Sequence, residues 1–211
     1  MGKATSRRLA ASVVVTLLCA IAVRLVRGAY KPYAPAAPAY RQSGPADAPI
    51  VLTEFSDFQC PGCAAAVETI KKLEELHPGR VRVTYKHHPW EFHRYARLAA
   101  VFAECAGKQG KFWPVYEFLF ARQSDWAASS APEEKFAAYA KEAGLDPAAL
   151  AACRADPAAA ALIDADLKEA DDHWVQSTPT FFVNGRRYAG VRQLLSEGVP
   201  EIDKLQPRGT P

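Results

Sequence analysis

Ile50-Val51-Leu52-Thr53-Glu54-Phe55-Ser56-Asp57-Phe58-Gln59-Cys60-Pro61-Gly62-Cys63 is the stretch on which the fold turns. Residues 50–55 are a short apolar run and predict a buried strand. From 60 to 76, Val67, Ile70, Leu73 and Leu76 recur at helical spacing, and Pro78-Gly79 ends the pattern. Val81, Val83 and Tyr85 then alternate, which predicts a second strand. Strand, helix and strand in that order form a β-α-β unit with parallel strands.

Two chemistries compete for Cys60-Pro61-Gly62-Cys63. A zinc site needs a second ligand pair. His87, His88 and His93 are available, but no second Cys-x-x-Cys exists. Redox chemistry needs only the strand before and the helix after. A cysteine at a helix N-terminus faces unpaired N–H groups and the positive end of the helix dipole, and both stabilise a thiolate. One turn later, Cys63 is close enough to close a small disulfide ring. Pro61 suits the first helical turn, where its missing N–H has no partner to lose. The redox reading is the stronger, and no metal is assigned.

Downstream the pattern is helical. Tyr95 to Ala106 is apolar and Ala-rich, and Phe112 to Phe120 follows Gly110. Ser130 with Glu133 resembles a capping box, and Asp146-Pro147 and Asp156-Pro157 each read as an N-cap with proline at the first helical position. Four or five helices are predicted between about 93 and 173. Strands return at Thr180–Val183 and Arg186–Tyr188, around the hairpin signal Asn184-Gly185. A short helix near 191–205 closes the domain.

Glu-Phe-Ser-Asp-Phe-Gln-Cys-Pro-Gly-Cys (54–63) and Ser-Thr-Pro-Thr-Phe-Phe-Val-Asn-Gly-Arg (177–186) together resemble the two signature segments of DsbA-like thioredoxin-fold disulfide oxidoreductases. The resemblance covers about 45–205. It implies an α/β thioredoxin fold with an inserted helical subdomain, in a domain spanning 46–206. It also implies an exported enzyme that exchanges disulfides with cysteines of other proteins, without cofactor. Cys60 would be the exposed nucleophile and Cys63 its buried partner. Thr178-Pro179 would be the cis-proline loop beside them, its backbone open to an extended substrate. A recycling partner, membrane-bound or a thiol, would restore the pair.

Glu54 interrupts an apolar strand six positions before Cys60. A carboxyl there is expected to be buried, with a raised pKa. The resemblance assigns it proton transfer to Cys63, against a strand-edge Glu facing solvent. Cys105 and Cys153 both fall in the helical region, and the resemblance pairs them as a structural disulfide, against two buried free thiols. His87 and His88 are read as loop-surface histidines. Phe58 and Trp90 are read either as a substrate surface beside Cys60 or as core. Trp113, Tyr116 and Phe120 are read as core, and Arg186-Arg187 as a solvated hairpin end.

The chain has 211 residues, 49% of them hydrophobic and 23% charged, which excludes low-complexity disorder and a multi-span membrane protein. The net charge of +3 misleads. Residues 1–31 carry six cations and no acid, leaving 20 basic and 23 acidic residues in the rest. The body is therefore not basic, and nucleic acid is not an expected partner. Leu9 to Val23 is a 15-residue uncharged run between arginines. It reads as a signal peptide or an uncleaved N-terminal membrane anchor, and either places the body in the periplasm or cell envelope. Residues 32–45, rich in proline and alanine, read as a linker.

Pro61-Gly62 lacks the histidine that strongly oxidising relatives carry between the cysteines, so reductase or isomerase chemistry stays open beside oxidation. No dimerisation domain is visible, which counts against isomerase. A non-redox thioredoxin-like binding or chaperone module is the alternative from another class.

Overall fold

A mixed five-stranded sheet carries the molecule, its strands lying side by side in the order Gln42–Ser43, Val81–His87, Ile50–Ser56, Thr180–Val183, Arg186–Ala189. The computed structural model describes residues 33–205 and, before them, Val13, Thr16 and residues 18–20, which are helical and exposed. The signal or anchor reading therefore lies almost wholly outside the described residues. Among the described residues, no helix is long and apolar enough to cross a membrane.

The strands are β1 (Gln42–Ser43), β2 (Ile50–Ser56), β3 (Val81–His87), β4 (Thr180–Val183) and β5 (Arg186–Ala189). β2 and β3 pair in parallel, and helix α1 (Pro61–Leu76) crosses between them. β4 pairs antiparallel with β2, and β5 with β4. The β4–β5 turn takes positive φ at Asn184 (46°) and Gly185 (85°), as the tight hairpin requires. Six helices enter between β3 and β4: α2 (Ala96–Lys108), α3 (Phe112–Ala121), α4 (Gln123–Ala127), α5 (Pro132–Glu142), α6 (Pro147–Ala155) and α7 (Pro157–Asp172). After β5 come α8 (Gly190–Gln193), a π-helical turn (Leu194–Gly198) and α9 (Val199–Lys204). This is the thioredoxin fold with a helical insertion.

Asp146 and Asp156 cap α6 and α7, accepting from Ala149 N and Ala158 N. The Ser130–Glu133 capping box does not form. α5 begins at Pro132 with Ala131 at its N-cap, and no side chain caps it. Pro132 presets the helical φ there, and the Ser129 hydroxyl accepts from Ala131 N instead.

The core falls into clusters along the sheet. Ile50, Leu52, Val81, Val83, Phe181 and Val183 pack with Ile70 and Leu73 of α1 and with Leu194 and Ile202. A second cluster joins Phe58 and Tyr85 to the helical insertion through Phe102, Phe112, Tyr116, Phe120 and Trp126. Trp113 is only partly buried against it.

Residues 33–43 correct the linker reading. Tyr33 is buried on Phe55 and Phe182, and β1 adds a strand to β3. The Tyr40 ring lies where a Cβ on Gly107 would intrude, so any side chain there would have to displace that ring. Arg41 is fully buried, and its charge is met by Asp166 and, at 3.0 Å, by Glu104. Lys86, equally buried, pairs with Asp166 and Glu169 at 2.8 Å each. Tyr33 donates to Glu169 at 2.6 Å and Tyr40 to Glu104 at 2.7 Å. Charges buried this deeply survive only when paired, so the network holds the N-terminal segment against α2 and α7.

His87 and His88 also differ from expectation. Both are buried. The ring of His87 bonds Glu104 at 2.8 Å, and burial holds the His88 pKa below its ordinary value. β3 runs two residues past the alternating Val81–Tyr85 pattern and carries His87 inward with it.

Candidate active site

Cys60 is the N-cap residue of α1, with extended backbone (φ −77°, ψ 122°), and Pro61 opens the helix. The Cys60 carbonyl accepts from Cys63 N and Ala64 N, which starts the helical ladder. The geometry leaves the Cys60 sulfur partly accessible and turns Cys63 inward, where it is fully buried. Both are free thiols. The Cys63 thiol hydrogen-bonds the Cys60 sulfur and, with Thr178 and the backbone N–H groups of Cys63 and Gly62, lowers the Cys60 pKa to about 5. Burial pushes the Cys63 thiol the other way, aided by its bond to Cys60 and the nearby Glu54 carboxyl. One accessible low-pKa sulfur and one buried high-pKa sulfur are what ordered thiol–disulfide exchange requires.

The loop before β4 completes the sulfur's surroundings. The Thr178–Pro179 peptide is cis. The Cys60 thiol donates to the Thr178 carbonyl at 3.4 Å. A Cβ added at Gly62 would stand 3.3 Å from Pro179 Cδ and 3.6 Å from Cys60 Sγ. Pro61-Gly62 and Thr178-Pro179, far apart in sequence, thus meet at the reacting sulfur.

Glu54 lies in the centre of β2, opposite Tyr85 on β3 and Phe181 on β4. It is buried, which overturns the solvent-facing alternative. Burial between those apolar neighbours raises its pKa to about 8, partly offset by the Ser56 hydroxyl, which donates at 2.8 Å. A carboxyl titrating there can hold or release a proton near neutral pH beside Cys63.

Asp57, Trp90 and His93 belong to the same site; the sequence offers Trp90 a place beside Cys60 as one of two readings, His93 only as a zinc-ligand candidate, and Asp57 none. Asp57 N donates to Cys63 Sγ at 3.4 Å. The buried Asp57 carboxylate accepts from Gln59 N (2.7 Å) and Trp90 N (2.9 Å) and bonds the His93 ring at 2.8 Å. Trp90 then donates its indole N–H to Thr178 Oγ1 at 2.9 Å. A continuous chain of contacts therefore runs from Cys63 through Asp57, Trp90 and Thr178 to Cys60. Phe58 resolves as core, stacked on Tyr85. Trp90 resolves as half-buried beside the site. Gln123 of α4 donates to the Phe58 and Cys60 carbonyls at 2.8 and 3.0 Å, tying the helical insertion to the active loop. Among the described residues, no cluster of three or more His, Cys, Asp or Glu is placed to hold a metal.

Cys105 and Cys153 are disulfide-bonded, joining α2 to α6 across 48 residues of chain. Closing a loop of that length restricts the unfolded chain by ~4 kcal/mol in the chain-entropy account. Replacing both cysteines by alanine is expected to lower unfolding free energy by about that amount. Denaturant titration of the double variant, with Cys60 and Cys63 kept reduced in both proteins, measures it.

The thioredoxin family model matches residues 37–196. A protein of Salinispora tropica named Na(+)/H(+) antiporter NhaA 3 is 36% identical over 148 residues, 70% of this chain but 22% of that protein. The chain thus spans about a quarter or less of the curated relatives it matches. Among solved structures, oxidised BdbD from Bacillus subtilis superposes with a TM-score of 0.66 at 25% identity, covering 78% of this chain and 91% of that one. DsbA2 from Pseudomonas aeruginosa superposes with a TM-score of 0.61 at 25% identity, covering 82% and 100%. The family match places the chain in the thioredoxin family, and its fold is that of the DsbA-like proteins it superposes on.

Proposed function

We propose that the protein forms disulfides in exported proteins, with Cys60–Cys63 as the exchanging pair. The observation that carries this reading is the placement of Cys60, partly accessible at the N-terminus of α1 and against the Thr178 carbonyl, one turn before the fully buried Cys63. A stabilised Cys60 thiolate favours the reduced pair, so the oxidised pair gives its disulfide away readily.

In the forward step a substrate thiolate attacks Cys60 Sγ. The Cys60–Cys63 bond breaks, a substrate–Cys60 mixed disulfide forms, and Cys63 leaves as a thiolate. Glu54, protonated near neutral pH, supplies a proton to it. A second substrate thiolate attacks the substrate sulfur and releases the Cys60 thiolate. The substrate loses two electrons and the pair gains them. A disulfide or quinone-linked partner must then take those two electrons to regenerate the oxidised pair. Thr178 offers backbone to an extended substrate in the manner of strand addition.

The N-terminal run 9–23 supports export or anchoring at the cell envelope, where the Cys105–Cys153 bond also persists. The antiport activity in the relatives' names is not extended to this chain, whose match to them is confined to a small part of their length.

The missing histidine at Pro61-Gly62 favours a second reading, reduction or reshuffling by the dithiol. Mixing the fully oxidised protein with a reduced, disulfide-requiring substrate under anaerobic conditions separates the two. One substrate disulfide per protein dithiol produced is the expected result. An oxidised protein that leaves the substrate reduced, with a dithiol form that reduces substrate disulfides, reverses the direction.

A further inference from the structure

Asp57 is buried beside both cysteines, and the exchange chemistry assigns it nothing. Its main chain touches each of them. Its N–H donates to Cys63 Sγ at 3.4 Å, and its carbonyl accepts from Cys60 N at 3.0 Å. The position of this one residue therefore sets a donor against the buried sulfur. Its carboxylate is fully buried, and a charge so placed needs partners in fixed positions. Oδ1 accepts from Gln59 N at 2.7 Å, within its own loop. Oδ2 reaches across to the segment after β3, where it accepts from Trp90 N at 2.9 Å and bonds His93 Nδ1 at 2.8 Å. That segment is itself a closed turn, with His93 N donating to Trp90 O at 3.0 Å. His93 supplies the one side-chain partner in this set. It is 20% exposed, so its removal opens a way for water to the carboxylate.

We propose that His93 is a positioning residue for the exchange reaction: through Asp57 it holds in place the N–H that supports Cys63 as the leaving sulfur. The inference rests on the exchange at Cys60 proposed above. When a substrate thiolate attacks Cys60 Sγ, the Cys60–Cys63 bond breaks and its electron pair goes to Cys63 Sγ. An N–H aimed at that sulfur counts most at that moment, because hydrogen bonds to charged groups are the stronger ones. Without His93, Asp57 Oδ2 keeps a single backbone donor. A buried carboxylate left short of a partner turns toward water. Turning it pulls on the peptide that carries the donor N–H, and Cys63 loses its support. The Cys60 sulfur draws instead on the N–H groups of Cys63 and Gly62, which the first turn of α1 fixes by itself. The effect therefore falls on the departure of Cys63 and spares attack by the Cys60 thiolate.

The test separates those two steps. In the first reaction, oxidised wild type, His93→Ala and His93→Gln are mixed with excess reduced glutathione, and the opening of the Cys60–Cys63 disulfide is timed. In the second, the same three side chains at position 93 are compared in a Cys63→Ser background, where the Cys60 thiolate attacks oxidised glutathione and Cys63 takes no part. His93→Ala is expected to open about tenfold more slowly, the lower range for one hydrogen bond to a charged group. His93→Gln, whose amide N–H can still donate to Asp57, is expected to stay within about threefold of wild type. In the Cys63→Ser background all three are expected to agree within about twofold, as independent sites do. Equal slowing in both reactions makes His93 a part of general loop structure and overturns the proposal. Unchanged opening in His93→Ala, or His93→Gln as slow as His93→Ala, overturns it as well. A wild-type disulfide that reduced glutathione does not open instead overturns the exchange reaction on which the positioning role depends.

Discussion

Cys60→Ser abolishes disulfide transfer to a reduced substrate, with a loss on the order of a thousandfold or more, the scale seen when a covalent nucleophile is removed. The magnitude follows from where the remaining sulfurs sit. Cys63 is fully buried and its thiol is held above its ordinary pKa, so it presents neither surface nor thiolate to a substrate. Cys105 and Cys153 are bonded to each other. A hydroxyl at position 60 also leaves no intramolecular disulfide to give. The variant is expected to keep its fold, because Cys60 is an N-cap residue and serine is a favoured one. Anaerobic oxidation of the reduced substrate, beside a far-ultraviolet spectrum, checks both parts. By contrast, Cys63→Ser has no disulfide to give either, but its Cys60 thiolate, offered an oxidised substrate, is expected to attack the substrate disulfide, release one substrate thiolate and accumulate as the mixed disulfide, because the resolving thiol is gone.

Glu54→Gln is expected to stabilise the reduced protein in alkali and slow it in catalysis. The folded pKa of about 8 lies above the ordinary value of 4.5. Between those two pH values the folded state keeps a proton that the unfolded state has released. Stability relative to a neutral residue therefore falls as pH rises through that window, and the full cost is reached above about 8. The amide removes the cost and still accepts the Ser56 hydroxyl. The gain is on the order of 3–5 kcal/mol above pH 8, and vanishes below 4.5. Denaturant unfolding of both proteins at pH 4.5 and 8.5 measures it. Catalysis moves the opposite way. Without a titrating carboxyl the Cys63 step loses its proton carrier, and the turnover rate near neutral pH falls by about a hundredfold, the lower range for general acid–base help. The pH–rate profile also loses its inflection near 8. Equal stability at both pH values, with an unchanged profile, removes Glu54 from the mechanism.

What was legible in the sequence was local or repeated. The cysteine spacing carries its own chemistry, because N-cap and first turn lie within four residues. Glu54 stood out because a carboxyl in an apolar strand has few places to go. The Asp146 and Asp156 caps, and the Asn184-Gly185 hairpin, are likewise decided by neighbours in the chain. The rest depends on distant partners. Trp90 and Thr178 are 88 positions apart, and Lys86 and Asp166 are 80. Proline content marked 32–45 as extended, which is compatible with a spacer and equally with an edge strand. Only the placement of Glu104 and Asp166 on neighbouring helices makes Arg41 a buried anchor. His87 and His88 turned inward for the same reason, since a carboxylate and an aromatic wall await them there.

The central claim is that this protein holds Cys60 as an accessible thiolate while Cys63 stays protonated. Titrating the reduced protein by thiolate absorbance, with Cys63→Ser and Cys60→Ser as assignments, tests it most directly. One thiolate is expected to appear with a midpoint near pH 5, to be lost in Cys60→Ser, and to be followed by a second only in strong alkali. A single transition of both thiols near their ordinary value, roughly 8.5, would contradict it.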